Sequence, residues 1–260
     1  MIGIPFFQVD AFVNERPLTG NPAAVMPLDR WLPDALLQAI AAENNLSETA
    51  FTVPSRRGDA DYDLRWFTPT VEVDLCGHAT LAAGHILLHG EHVRFATRSG
   101  LLGVARSGNL LELDLPAHAV EAGELAGLHE ALGVSGETFL GRGGNGAAIV
   151  MLRDEAAVRS VAPDFARLRT IDRLVIVTAP GDEHDVASRV FAAFHGIDED
   201  PVTGSAHAAL VPLWARRLGR DSFTALQASR RSGLLHCRLE DGRVLLGGAC
   251  ATVIVGTFQP

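Results

Sequence analysis

The residues able to do chemistry gather in three short strings. Glu48 lies in Asn45-Leu46-Ser47-Glu48-Thr49-Ala50-Phe51, where a polar turn runs into an apolar strand. A carboxylate leading into a buried strand needs a partner or a task, because burying an unpaired charge is costly. Held there, it could take a proton from carbon and return it. Left in water, it would be an ordinary strand-end Glu, and the residues alone leave both readings open. Gly77-His78 and Gly204-Ser205 each open an apolar helical segment. The first N–H groups of a helix lack internal partners and carry partial positive charge, so each start offers an anion site. Glycine there either admits a ligand close to the backbone or merely relieves packing. Two glycines at corresponding places, each followed by a polar side chain, favour a site for a small carboxylate. Asp198-Glu199-Asp200 precedes the second start. Asp198 and Glu199 are expected to cap that helix and complement its dipole, whereas Asp200, held by Pro201, is expected to face ligand. His207 adds a polar group in the same turn.

The elements that must position these residues are written twice. Asn21-Pro22-Ala23-Ala24-Val25-Met26 is echoed by Asn145-Gly146-Ala147-Ala148-Ile149-Val150, an offset of 124. Cys76-Gly77-His78-Ala79 is echoed by Thr203-Gly204-Ser205-Ala206 at an offset of 127, and Arg98-Ser99-Gly100-Leu101-Leu102 by Arg231-Ser232-Gly233-Leu234-Leu235 at 133. One such match is chance; a collinear series implies two similar domains. We place them at residues 1–118 and 119–260, with the apolar strand 251–258 a candidate to return to the first. The expectation is an α+β protein of two pseudo-symmetric halves, each a mostly antiparallel, barrel-like sheet around a central buried helix. Both helix starts would then face one cleft.

Within the first half, strands are expected at Phe6 to Phe12, Ala23 to Met26, Thr49 to Val53 and Tyr62 to Phe67, with a helix from Pro33 to Glu43. Leu81, Ala82, Ala83, Ile86, Leu87 and Leu88 make the helix from Gly77 to about His89 apolar nearly all round, hence buried. Ser107-Gly108-Asn109 signals a hairpin. A second buried helix is expected from Gly204 to about Arg217.

Composition narrows the function. A net charge of −9 with only 22 Lys and Arg, and no basic run, argues against nucleic acid. No apolar run reaches the roughly 18 residues that span a bilayer, and the N-terminus lacks a basic leader, so a cytoplasmic location is expected. Cys76, Cys237 and Cys250 are scattered and form no C-x-x-C, and His85 and His89 have no carboxylate positioned for ligation, so no metal is expected. No G-x-G-x-x-G follows a strand and no P-loop is present, so no cofactor is expected. Trp31, Trp66 and Trp214 read as core.

Together, Asn21-Pro22-Ala23-Ala24-Val25, the Glu48 string, Cys76-Gly77-His78-Ala79-Thr80 and Asp198-Glu199-Asp200-Pro201-Val202-Thr203-Gly204-Ser205-Ala206 closely resemble the motif series of the PhzF (phenazine biosynthesis) family, across essentially the whole chain. The resemblance implies the diaminopimelate epimerase-like fold, a homodimer and a cofactor-free isomerase acting on a small carboxylate. It assigns acid/base catalysis to Glu48, and binding or polarising of substrate to Gly77, His78, Asp200, Gly204 and Ser205. The related two-thiol epimerases and proline racemases are the alternative. Cys76 sits where one of their thiols would be, but the repeat puts Thr203 at the other place, and a threonine hydroxyl does not ionise near neutrality. Cys76 therefore reads as structural. A small-molecule-binding protein that has kept the fold is the non-catalytic alternative.

Overall fold

A computed structural model describes residues 3–142 and 146–260, so Asn145 of the first repeat lies outside the described residues. Along the chain run β1 (Ile4–Val13), β2 (Asn21–Pro27), α1 (Asp34–Asn44), β3 (Glu48–Pro54), β4 (Tyr62–Phe67), β5 (Glu72–Val73), α2 (Gly77–Leu87), β6 (His92–Thr97), β7 (Gly100–Ser107) and β8 (Leu110–Pro116). There follow β9 (Val120–Ala122), α3 (Leu128–Leu132), β10 (Glu137–Gly141), β11 (Ala147–Met151), α4 (Glu155–Ser160), α5 (Phe165–Leu168), β12 (Leu174–Pro180), β13 (Val186–Ala192) and β14 (Ile197–Asp200). The chain ends with α6 (Gly204–Leu218), β15 (Ser222–Gln227), β16 (Gly233–Glu240) and β17 (Arg243–Phe258). The fold is mixed and dominated by sheet. No helix among the described residues is long and apolar enough to cross a membrane.

Two compact units form, Met1–Leu115 with Gly247–Pro260, and Pro116–Leu246. The boundary expected at 118/119 thus falls at 115/116, and the second unit stops at Leu246. The reason is nonlocal: β17 lies antiparallel along β1, from Phe258 opposite Ile4 to Ala249 opposite Val13, which ties the C-terminal strand to the first unit.

In the first unit the strands β1, β2, β3, β4, β6, β7, β8 and β17 pair in turn and close into a ring. Closure leaves no free edge around the circuit and an interior that must be filled. The filler is α2, which packs against β1, β2, β3 and β7. Its near-uniform apolarity follows, since strands wall most of it: Ala79, Leu81, Ala82 and Ala83 are buried, and so are His78 and Thr80, while His85 near its end is exposed. The pairing is not wholly antiparallel. β2–β3 and β4–β6 are parallel, as are β11–β12 and β13–β15 in the second unit.

The second unit repeats the ladder sequence. From β1 to β7 the steps are antiparallel, parallel, antiparallel, an antiparallel side branch, parallel and antiparallel. From β10 to β16 they are the same six. Its long helix, α6, carries Pro212 in its interior, which cannot donate to the Ala208 carbonyl one turn back. The His118 N–H takes that carbonyl instead, at 2.9 Å, so a buried acceptor is not left bare.

Gly84 shows how close the fit around α2 is. A Cβ there would meet Val104 Cγ1 at 2.6 Å and Cβ at 2.8 Å, and Val104 is itself fully buried. Helix propensity alone favours Ala over Gly by about 1 kcal/mol. Overpacking against a stiff β-branched side chain costs about 1–3 kcal/mol. Gly84→Ala is therefore expected to lower the thermal midpoint, whereas a stabilised variant would show that α2 has room to shift.

Candidate active site

In the first unit the local fold delivers a carboxylate to an imidazole. Helix α1 stops at Asn45, whose left-handed backbone (φ 49°) is tolerated by asparagine, and whose N–H closes on the Ala41 carbonyl. Leu46 and Ser47 then lead into β3, whose first residue is Glu48, opposite Ala23 on β2. Helix α2 begins one residue after Cys76 and places His78 in its first turn. Glu48 Oε2 and His78 Nε2 lie 3.1 Å apart, with 11% and 4% of their side chains exposed. The two atoms form an ion-pair contact, and neither is otherwise hydrogen-bonded among the described residues. It is a charge contact between two atoms that remain available.

The other face of the ring is held. Asn21 Nδ2 lies 3.0 Å from His78 Nδ1, and the Ser47 hydroxyl donates to Asn21 Oδ1 at 3.0 Å. An amide N–H donating to Nδ1 puts the ring proton on Nε2, toward Glu48. A second proton at Nδ1 requires the amide to turn and present Oδ1. Ser47 tolerates the turn, because its hydroxyl can accept as well as donate. Burial works against charge on His78, but Cys76 and Glu48 outweigh it and raise its pKa well above the ordinary histidine value. Cys76, with Sγ 3.6 Å from Nδ1, is pushed up to about 11 by burial and by the Glu48 charge, against the pull of His78. Near neutrality it is a thiol, so the rise in His78 basicity there comes from Glu48.

The second unit gathers Asp200, Gly204 and Ser205 around a different network. Thr203 Oγ1 donates to Asp200 Oδ2 at 2.5 Å. Gln227 Nε2 donates to the Asp200 carbonyl at 2.7 Å and to Thr203 Oγ1 at 3.2 Å, while Gln227 Oε1 accepts the Thr203 N–H at 2.8 Å. One amide thus aligns the hydroxyl that aligns the carboxylate. Ser205 is half-buried and opens α6 beside Gly204. Asp198 and Glu199 do not cap α6 as expected. They lie on β14 and pair with Arg169 at 2.6 Å and Arg189 at 2.7 Å. His207 is buried, with Nδ1 2.8 Å from the Thr203 carbonyl and Nε2 without a hydrogen-bond partner among the described residues.

Glu48, Gly77 and His78 come together in one unit, and Asp200, Gly204 and Ser205 in the other. Asn21, Ser47, Thr203 and Gln227 are the positioning residues that motif reading passes over. Gln227 had a signal: it falls on the same strand parity as buried Phe223 and Ala225, a polar residue where a core residue belongs.

The ladders also show an asymmetry. The repeat aligns Ala23 with Ala147; Ala23 faces Glu48, and Ala147 faces Leu174. Where one unit has Glu48, Cys76 and His78, the other has Leu174, Thr203 and Ser205. Among the described residues, the matching positions form a carboxylate–imidazole pair in one unit and not in the other.

Residues 9–256 match the model of a family described as phenazine biosynthesis-like protein. A Pseudomonas aeruginosa protein called an uncharacterised isomerase is 51% identical over 263 residues, covering 98% of each chain. The crystal structure of a PhzF-family phenazine biosynthesis protein from Enterococcus faecalis superposes with a TM-score of 0.91 at 42% identity, covering both chains completely. A hydroxyproline epimerase from Agrobacterium vitis, 14% identical, shares the fold with a TM-score of 0.58, over 98% of this chain and 92% of its own.

His207 makes the second site sensitive to acid. Burial lowers its pKa to about 4, against the opposing pull of the Thr203 carbonyl. Between that value and the ordinary 6.5, the unfolded chain binds more protons than the folded one. The contribution to stability is complete above the ordinary histidine value and is lost as pH falls through this window. The full loss is on the order of 3 kcal/mol. Urea unfolding at stepped pH should show this slope, and His207→Gln should remove that share of it; an unchanged slope in the variant would assign the acid sensitivity elsewhere.

Proposed function

The chain belongs to the phenazine biosynthesis-like (PhzC-PhzF) family, and from that premise we propose that it is a cofactor-independent isomerase whose single acid/base is Glu48. The observation that carries the reading is the asymmetry between units. One carboxylate stands against one basic imidazole, and the matching ladder position in the other unit is Leu174. Repeated ladders and repeated helix starts support two pseudo-symmetric halves, of which only one bears the proton carrier.

The chemistry runs through Glu48 as the carboxylate. It takes a proton from an activated carbon of a small, cyclic or amino-carboxylate substrate; the C–H bond breaks, an O–H bond forms, and the electron pair passes into the conjugated system. Glu48 then delivers a proton, either the one it took or one it has exchanged with solvent, to another carbon of that system, and the carboxylate is regenerated. His78, with Nε2–H toward Glu48, steadies the carboxylate before and after transfer. Asp200 and Ser205 are assigned to substrate binding, and the first amides of a buried helix can meet negative charge on such a ligand. Isomerase and epimerase names among relatives and fold neighbours agree with proton transfer at carbon.

A two-thiol epimerase lacks support from either half. Burial and the Glu48 charge keep Cys76 protonated near neutrality, with its pKa at about 11, and the Thr203 hydroxyl is spent on Asp200.

With the first substrate found in a panel of cyclic and α-amino carboxylates, Glu48→Gln should keep ligand affinity within a few-fold. It should lose turnover and deuterium wash-in by at least ~10²–10⁴-fold, the usual share of general acid–base catalysis. Asp200→Asn should weaken binding as well as rate. Cys76→Ala should stay within several-fold of the parent. A folded but inactive Cys76→Ala beside an active Glu48→Gln would replace this reading with thiol chemistry.

A further inference from the structure

The Glu48 site holds a second kind of chemistry. One carboxylate oxygen of Glu48, Cys76 Sγ and one His78 ring nitrogen all lie within 4.8 Å of one another, and all three residues are buried. We propose that Glu48, Cys76 and His78 bind one thiophilic divalent cation of the zinc type, and that its binding takes Glu48 and His78 out of proton transfer. The sequence gives no metal motif, because these ligands come from two separate elements.

The donor set selects the ion. Thiolate, imidazole and carboxylate together suit zinc and its neighbours, whereas calcium and magnesium need six or more oxygens. Three protein ligands leave a fourth position for water or a small molecule. Glu48 Oε2 and His78 Nε2 have no hydrogen-bond partner among the described residues, so both can turn to a cation, while Cys76 Sγ gives up its 3.6 Å contact with His78 Nδ1. An outer shell is also in place. With a cation on Nε2, the ring carries its proton on Nδ1, and a turned Asn21 amide accepts it through Oδ1 while Nδ2 donates to Ser47. Imidazole ligands are oriented in this way in known metal sites. Binding is balanced by loss of the thiol proton to solvent as the metal–sulfur bond forms. The second unit cannot repeat the site, since Leu174, Thr203 and Ser205 stand at the three places. Binding is independent of the proposed isomerase activity; only the block of turnover rests on that reading.

The test uses the full chain, stripped with chelator and titrated with Co²⁺, then with Zn²⁺ in competition. One equivalent of Co²⁺ should give thiolate-to-cobalt charge-transfer absorption, which zinc abolishes. Cys76→Ala should lose the band. Cys237→Ala/Cys250→Ala, which leaves Cys76 as the sole thiol, should keep it. Asn21→Ala should bind ~10–100-fold more weakly, the usual effect of removing an outer-shell partner. No band in the parent chain, or a band that survives Cys76→Ala, would overturn the site. With a turned-over substrate, one equivalent of Zn²⁺ should stop proton exchange in the parent and leave Cys76→Ala at least ~10-fold less sensitive. Undiminished exchange in the zinc-loaded parent would overturn the block while leaving the isomerase reading intact.

Discussion

A carboxylate stays out of water only where something meets its charge, and in this protein the meeting is Glu48 against His78 at 3.1 Å. The surroundings are arranged for that contact. The left-handed turn at Asn45 ends α1 in time for Glu48 to open β3, and the parallel β2–β3 register fixes where along the ring it lies. Helix α2, packed against β1, β2, β3 and β7, begins at Gly77 and carries His78 in its first turn. Asn21 and Ser47 hold the far side of the imidazole, so its proton faces the carboxylate.

The second unit uses the same ladder order to a different end. Its helix start is tied down through Gln227, Thr203 and Asp200, in which each polar atom prepares the next. Nothing in that network is a strong base. His207, the one imidazole there, is driven toward neutrality by burial. The two units share a ladder order and differ at three matching positions, where Glu48, Cys76 and His78 correspond to Leu174, Thr203 and Ser205.

Much of this was legible in the order of residues. The helix starts at Gly77 and Gly204 follow from glycine before an apolar run, and the Ser107-Gly108-Asn109 turn from its left-handed glycine, with φ 60°. Glu48 was conspicuous because a charge entering an apolar strand is locally inconsistent. Facts that depend on distant partners were not legible. Asp198 and Glu199 looked like caps since capping is local, whereas Arg169 and Arg189 reach them from elsewhere in the chain. The parallel ladders and the attachment of β17 to β1 are likewise set by pairing rather than by pattern. Gln227 shows only as polar on a buried parity, a signal that acquires meaning once its partners are known.

The central claim is that one group moves the proton, and the fate of a substrate's own hydrogen tests it most directly. A substrate labelled at the abstracted carbon would be converted in a single turnover in unlabelled water, and the product examined for label at its new position. A single carboxylate, shielded by its contact with His78, predicts that a measurable fraction of the label returns to the product. Product whose new hydrogen comes entirely from solvent, with full label retained in unreacted substrate, would contradict the return of the substrate's own hydrogen by a shielded Glu48.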